Sequence, residues 1–268
     1  MSKNNFIGEF IGTFVMVFFG LGTVAVAVLF NALPGQLQIA FCWGVCITLA
    51  IYMTRNLCCA HFNPAVTIAM VVTGRMKASK MPVYILAQFL GAFFGALVIY
   101  LMFAPSIEAF EVANGITRGT FDSVATAKMF GEYYNQPGST AVVSLGLAAM
   151  VEGIATFVLV FVIFCLTESC NVGRPDNNMA PVYIGFTVTI LQCITAALTQ
   201  CGMNPARDFA PRLVALIFGW GAWAFPDASG GAFFVYILAP IVGGILAGIL
   251  FTKVIEPGMN KENCGCGC

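Results

Sequence analysis

The stretch His61–Thr67, "HFNPAVT", decides how this chain folds, because it has a second copy in "GMNPARD" at Gly202–Asp208. Asparagine is a favoured helix N-cap, and proline is favoured at the first helical position, where its missing N–H is no loss. Asn63-Pro64-Ala65 and Asn204-Pro205-Ala206 therefore read as two helix beginnings, 141 residues apart. The chain around them is oily: 59% hydrophobic and 9% charged, with a mean hydropathy of +0.90. A soluble domain carries about 25% charged residues. Apolar stretches of about 20 residues suffice to cross a bilayer, and they fall near 6–30, 38–56, 82–103, 141–166, 180–199 and 233–254. Both Asn-Pro-Ala starts lie outside these six spans. Each predicts a short half-helix that enters the membrane from one side, where irregular backbone is tolerated only if it lines a wet cavity or is buried in protein.

A longer repeat surrounds the motif. "GEFIGTFVMVFF" from Gly8 resembles "VEGIATFVLVFV" from Val151, and Glu9 and Glu152 stand 143 residues apart. One duplication explains both pairs. Each half holds three spans, and three is odd, so the second copy enters the membrane from the opposite side. The predicted fold is an all-α membrane protein of six transmembrane helices and two re-entrant half-helices in an inverted repeat, about 1–115 and 140–254. Proteins built this way transport solutes through a site near the midplane. The channel domain is expected to span 1–254, with a cysteine-rich tail at 255–268.

Charge sets orientation. With both termini inside, the cytoplasmic face collects Lys3, Arg55, Arg75, Lys77, Lys80, Arg174, Lys253 and Lys261, leaving Arg118, Lys128, Arg207 and Arg212 outside. That asymmetry is the positive-inside pattern. The first span is too long for a cleavable signal peptide, carries Glu9 and lacks a small-residue cleavage site. Net charge is zero, which gives nucleic acid nothing to bind. Several of the 11 cysteines sit within spans as small hydrophobes. The tail thiols Cys264, Cys266 and Cys268 face a reducing compartment, where metal capture or lipidation is open to them.

If the half-helices meet N-terminus to N-terminus, their positive dipole ends converge. Asn63 and Asn204 would each cap a helix with the side-chain oxygen and keep the amide NH₂ free for a file of water or alcohols. Donors without charge, set beside two dipole ends, repel protons and cations. Arg207 lies three residues after Asn204, on the same helix face. A guanidinium there is expensive unless paired, so it reads either as a pore ligand or as a side chain snorkelling outward.

The paired motifs, the two glutamates and the six-span frame resemble the aquaporin, or major intrinsic protein, family, from about Phe6 to Val254. The resemblance implies a plasma-membrane, multi-pass homotetramer with both termini cytoplasmic, one pore per protomer, no cofactor, no metal and no enzymatic chemistry. It makes Arg207 the filter arginine, with Trp43, Gln192 and Cys201 completing the selectivity filter. The carbonyls of Cys59, Ala60, His61, Thr199, Gln200 and Gly202 then line the pore, and Glu9, Glu152 and Asp208 support the loops. Trp43, Asp208, Arg212 and the long 104–140 connection resemble the aquaglyceroporin branch. Cys201 resembles water-selective members, whereas Gln192, Tyr236-Ile237 and the "CCAH" at Cys58–His61 depart from the glycerol pattern. The expected function is a passive channel for glycerol, related small neutral solutes and water, with a water-selective pore that excludes glycerol as the alternative. Duller roles remain open: an interhelical hydrogen bond for Gln192, packing for His61, loop support rather than a proton relay for the glutamates. A thiol oxidoreductase would need paired thiols, and a secondary transporter would need ion-coupling carboxylates within the spans.

Overall fold

The computed structural model describes residues 3–225 and 231–259; the tail cysteines and Lys261 lie outside them. In chain order the main helices are α1 (Lys3–Phe30), α2 (Gln36–Thr54), α3 (Pro64–Val72), α4 (Met81–Ala113), the short α5 (Val124–Ala127), α6 (Leu145–Thr167), α7 (Ala180–Thr199), α8 (Pro205–Ala215) and α9 (Gly231–Gly258). No strand occurs among the described residues. Six of the helices are long and apolar enough to cross a membrane. The other two long enough to matter, α3 and α8, have 9 and 11 residues. At 1.5 Å per residue they reach about 14 and 16 Å, half of a hydrocarbon core of roughly 30 Å.

The offset of 141 reappears as geometry. Gly44 of α2 and Gly185 of α7 are repeat mates, and they touch each other. A Cβ on Gly44 would come within 2.5 Å of the Gly185 carbonyl oxygen, and one on Gly185 within 2.4 Å of the Gly44 oxygen. Beside them Thr48 donates to the Pro181 carbonyl at 3.1 Å, and its mate Thr189 donates to the Ala40 carbonyl at 3.2 Å. Residues can meet their own mates in this way only on a two-fold axis. The remaining packing obeys the same operation: α1 lies on α4 as α6 lies on α9, and α3 lies on α9 as α8 lies on α4. Small residues permit the close approach. A Cβ at Gly91 would lie 2.4 Å from the Phe10 oxygen, and one at Gly243 would lie 2.0 Å from the Gly153 oxygen. Gly8 and Gly12 serve a different neighbour, since they make room for Cys58 and the Phe62 ring in the loop before α3.

The connection after the third span is more ordered than its composition suggests. Helix α4 passes Pro105 and continues to Ala113, well beyond the 103 expected from hydropathy. The segment from Glu111 to α5 then folds back against Trp220 at one end of the bundle. Arg118 pairs with Glu111 at 2.7 Å and stacks 4.2 Å from the Trp220 ring, whose Nε1 donates to Thr126 at 3.1 Å. Buried partners, rather than local periodicity, hold this segment.

Candidate functional site

Asn63 and Asn204 cap their helices as the motif requires: Asn63 Oδ1 accepts from Ala65 N at 2.8 Å, and Asn204 Oδ1 accepts from Ala206 N at 3.1 Å and Arg207 N at 3.2 Å. Their amide nitrogens are not wholly free, which corrects the expectation. Asn63 Nδ2 donates to the Met203 carbonyl at 2.9 Å, and Asn204 Nδ2 donates to the Phe62 carbonyl at 2.8 Å. Each NH₂ has two hydrogens, so the reciprocal bonds pin the half-helices end to end and leave one N–H apiece for the cavity that both residues line.

The loops before the caps turn through left-handed backbone at Ala60, Phe62, Gln200, Cys201 and Met203, with φ between 51° and 69°. Such angles are uncommon without glycine and need external support. The buried glutamates provide it. Glu9 accepts from His61 N at 2.9 Å, Phe62 N at 2.8 Å and Gln88 Nε2 at 2.8 Å. Glu152 accepts from Gly202 N at 2.9 Å, Met203 N at 2.7 Å and Thr199 Oγ1 at 2.6 Å. Within the unusual Cys58–His61 stretch the left-handed turn falls on Ala60 and not on Cys59, so a side chain at 59 brings no backbone strain. His61 contacts Thr67 Oγ1 through Nδ1 at 3.1 Å and packs 5.1 Å from the Tyr84 ring.

A cavity of about 950 Å³ runs past both asparagines. Its lining includes the charged Arg55, Arg75, Glu168 and Arg174, and also Trp43, Gln192, Cys201 and Arg207, drawn from four separate elements. Cys59, Ala60, His61 and Gly202 line it. Thr199 and Gln200 do not: the Thr199 carbonyl accepts from Tyr236 OH at 3.1 Å, and Gln200 Oε1 accepts from Tyr133 N at 2.8 Å. The unexpected Tyr236 thus braces the loop before α8. Gln192 is 5% exposed and its Oε1 has no partner among the described residues, as is true of Trp43 Nε1. Both residues line the cavity, and Gln192 Oε1 makes no interhelical bond.

Arg207 does not snorkel. It is 4% exposed, its guanidinium lies 4.2 Å over the Trp43 ring, and it forms an ion pair with Glu132. Glu132 went unnoticed in the sequence, because nothing local separates it from the other carboxylates of the 104–140 connection. One signal was available: a buried Arg207 needs a counter-charge, and that connection is the nearest source on its side. The segment carrying Glu132 is itself clamped. Asp208 Oδ1 accepts from Glu132 N at 2.8 Å, Arg212 donates to the Glu132 carbonyl, and Asp208 and Arg212 pair at 2.8 Å. Asp208 therefore supports the outer connection as well as its own helix.

Known proteins match this chain along its length. The model of the major intrinsic protein family matches residues 1–251. The glycerol uptake facilitator protein of Haemophilus influenzae is 37% identical, covering 99% of this chain and 98% of that one. The propanediol uptake facilitator of Salmonella typhimurium is 36% identical over 96% of this chain and 95% of its own length. Among solved structures, the aquaglyceroporin from Plasmodium falciparum superposes with a TM-score of 0.82 at 27% identity, covering 96% of this chain and 98% of that one.

Proposed function

The chain belongs to the major intrinsic protein family, and we propose that its cavity is the path of a passive channel for glycerol, related small neutral solutes and water. The observation that carries this reading is the meeting of two half-helix N-termini, each capped by an asparagine, inside one cavity whose walls are largely apolar. Converging dipole ends and neutral amide donors suit an uncharged hydrogen-bonding solute and oppose a cation. The relatives named as glycerol and propanediol facilitators support polyols as the solute class.

In this reading Trp43, Gln192, Cys201 and Arg207 form the selectivity filter. The carbonyls of Cys59, Ala60, His61 and Gly202 pass the solute along, while Glu9, Glu152 and Asp208 hold the loops. The channel occupies residues 1–254, and 255–268 form a cytoplasmic tail. Both termini are cytoplasmic, which puts the mouth with Arg55, Arg75 and Arg174 inside the cell. The protein works in the plasma membrane as a homotetramer, each protomer with its own pore. A water-selective pore is the second reading, favoured by one observation: Arg207 lies across the Trp43 face that a carbon chain would use.

Stopped-flow light scattering on protein-containing liposomes separates the two. Shrinkage followed by fast re-swelling in a glycerol gradient, beyond that of empty liposomes, is the expected result. Fast shrinkage in an impermeant osmolyte without re-swelling in glycerol would leave the water-selective reading standing alone.

A further inference from the structure

We propose that Glu132 is a positioning residue that sets the charge of the constriction, cancelling the Arg207 guanidinium and holding it against Trp43. The inference rests on the channel reading above. Glu132 is 3% exposed, and a buried carboxylate left unpaired is strongly destabilising. Its partner is a pore-lining guanidinium, although Glu132 itself stands behind Arg207 and does not line the cavity. The pair is not needed to fasten the loop. Backbone bonds to Asp208 and Arg212 already do that, as do Tyr133 N to Gln200 and Tyr133 OH to the Trp223 carbonyl at 2.7 Å. Even Gly131 is shaped for the approach, since a Cβ there would lie 2.6 Å from Arg212. The segment is built to deliver one carboxylate to one arginine.

The consequence is electrostatic. With the carboxylate ionised, the filter presents the remaining N–H donors of a neutral pair, not those of a bare cation. Conduction needs a site that holds a solute weakly enough to release it, and an uncompensated guanidinium in a dry constriction would hold hydroxyl oxygens harder. Cation rejection is then left to the two capped half-helix ends. Other charged and titratable groups face Glu132, among them the buried thiol of Cys201 in the loop before α8. Asp208 and Arg212 of α8 pair with each other. Glu152 of α6 is engaged by the loop before α8. Tyr133, beside Glu132 in its own loop, has its hydroxyl on the Trp223 carbonyl, and Tyr236 of α9 has its hydroxyl on the Thr199 carbonyl. Burial pushes the Glu132 carboxyl up to about 8, while the Arg207 guanidinium draws it down. Above that value the constriction is neutral; once the proton binds, it carries the positive charge of Arg207.

The test is glycerol and water flux in liposomes across about pH 6 to pH 9.5, a range that brackets the raised carboxyl, for the parent and Glu132→Gln. Parent glycerol flux should rise severalfold from the acid to the alkaline end. Glu132→Gln should be flat with pH and match the parent's acid level throughout. A parent with pH-independent flux overturns the proposal even if the variant fails to fold, and so does a Glu132→Gln protein that keeps the parent's flux at the alkaline end. Absence of parent glycerol flux above empty liposomes at every pH would instead sink the glycerol reading.

Discussion

In the proposed filter, Gln192 and two thiols of the cavity set the local character. Gln192 lines the cavity beside Trp43, Cys201 and Arg207, and its Oε1 is buried without a protein partner, so we propose that the amide bears on a solute by both volume and polarity. Gln192→Gly removes both, and volume should dominate because a polyol carbon chain needs width. Glycerol flux should rise severalfold in stopped-flow re-swelling while water flux changes less; a fall in glycerol flux would make the polarity of the amide the more important feature. Cys201 is buried, whereas Cys59 is exposed, and both line the same cavity. A mercurial added on the filter side should lose its block in Cys201→Ser. A membrane-impermeant thiol reagent on the Arg55 side should lose its block in Cys59→Ser. If both reagents ignore both substitutions, the thiols lie off the path. At this scale the sequence was readable wherever a residue sits in a motif, as for Asn63, Asn204 and Arg207. It was silent where the partner is remote, as for Glu132, which lies 75 positions from Arg207.

Among the elements, the half-helices depend on the buried glutamates more than on their own length. A helix of 9 residues is marginal by itself, and the turns before α3 and α8 are held in left-handed backbone. Glu152→Gln keeps the size of the side chain but offers an NH₂ where an acceptor is needed. At least one of the Gly202 and Met203 N–H groups or the Thr199 hydroxyl then loses its charged acceptor, at a cost of about 1–3 kcal/mol. The expected outcome is a lower unfolding temperature in detergent together with loss of flux. Unchanged stability with lost flux would instead favour a proton-handling role. The elements themselves were mostly legible. Expected and observed spans agree best for α7, which begins and ends at 180 and 199 as read from hydropathy. They agree least for α4, because Ala104-Pro105 looks like a stop, while the contacts that prolong the helix come from Arg118, far from it in local pattern.

For the whole molecule the two-fold axis is the organising fact, and it can be tested as such. Gly44→Val and Gly185→Val strike the same contact from its two sides, so they should lower the unfolding temperature by similar amounts, each through overpacking of about 1–3 kcal/mol. A large difference between them would mean that the halves are not equivalent at their crossing. The offset that relates them was visible in the chain as a pair of motifs, but its atomic meaning, residues touching their own mates, needed the folded structure. The same offset links the filter to its opposite number. Stepping back 141 positions from Gln192, Cys201 and Arg207 leads to Ile51, Ala60 and Val66, and stepping forward from Trp43 leads to Ile184; all four line the same cavity. Three of the four proposed filter residues thus come from the second copy, with Trp43 from the first, while their four mates are all apolar. Solute can still move down its gradient in either direction. Inhibitors meet two different doors: a polar, shape-sensitive one on the Arg207 side, and on the other an apolar vestibule where a greasy molecule can lodge without ever being read.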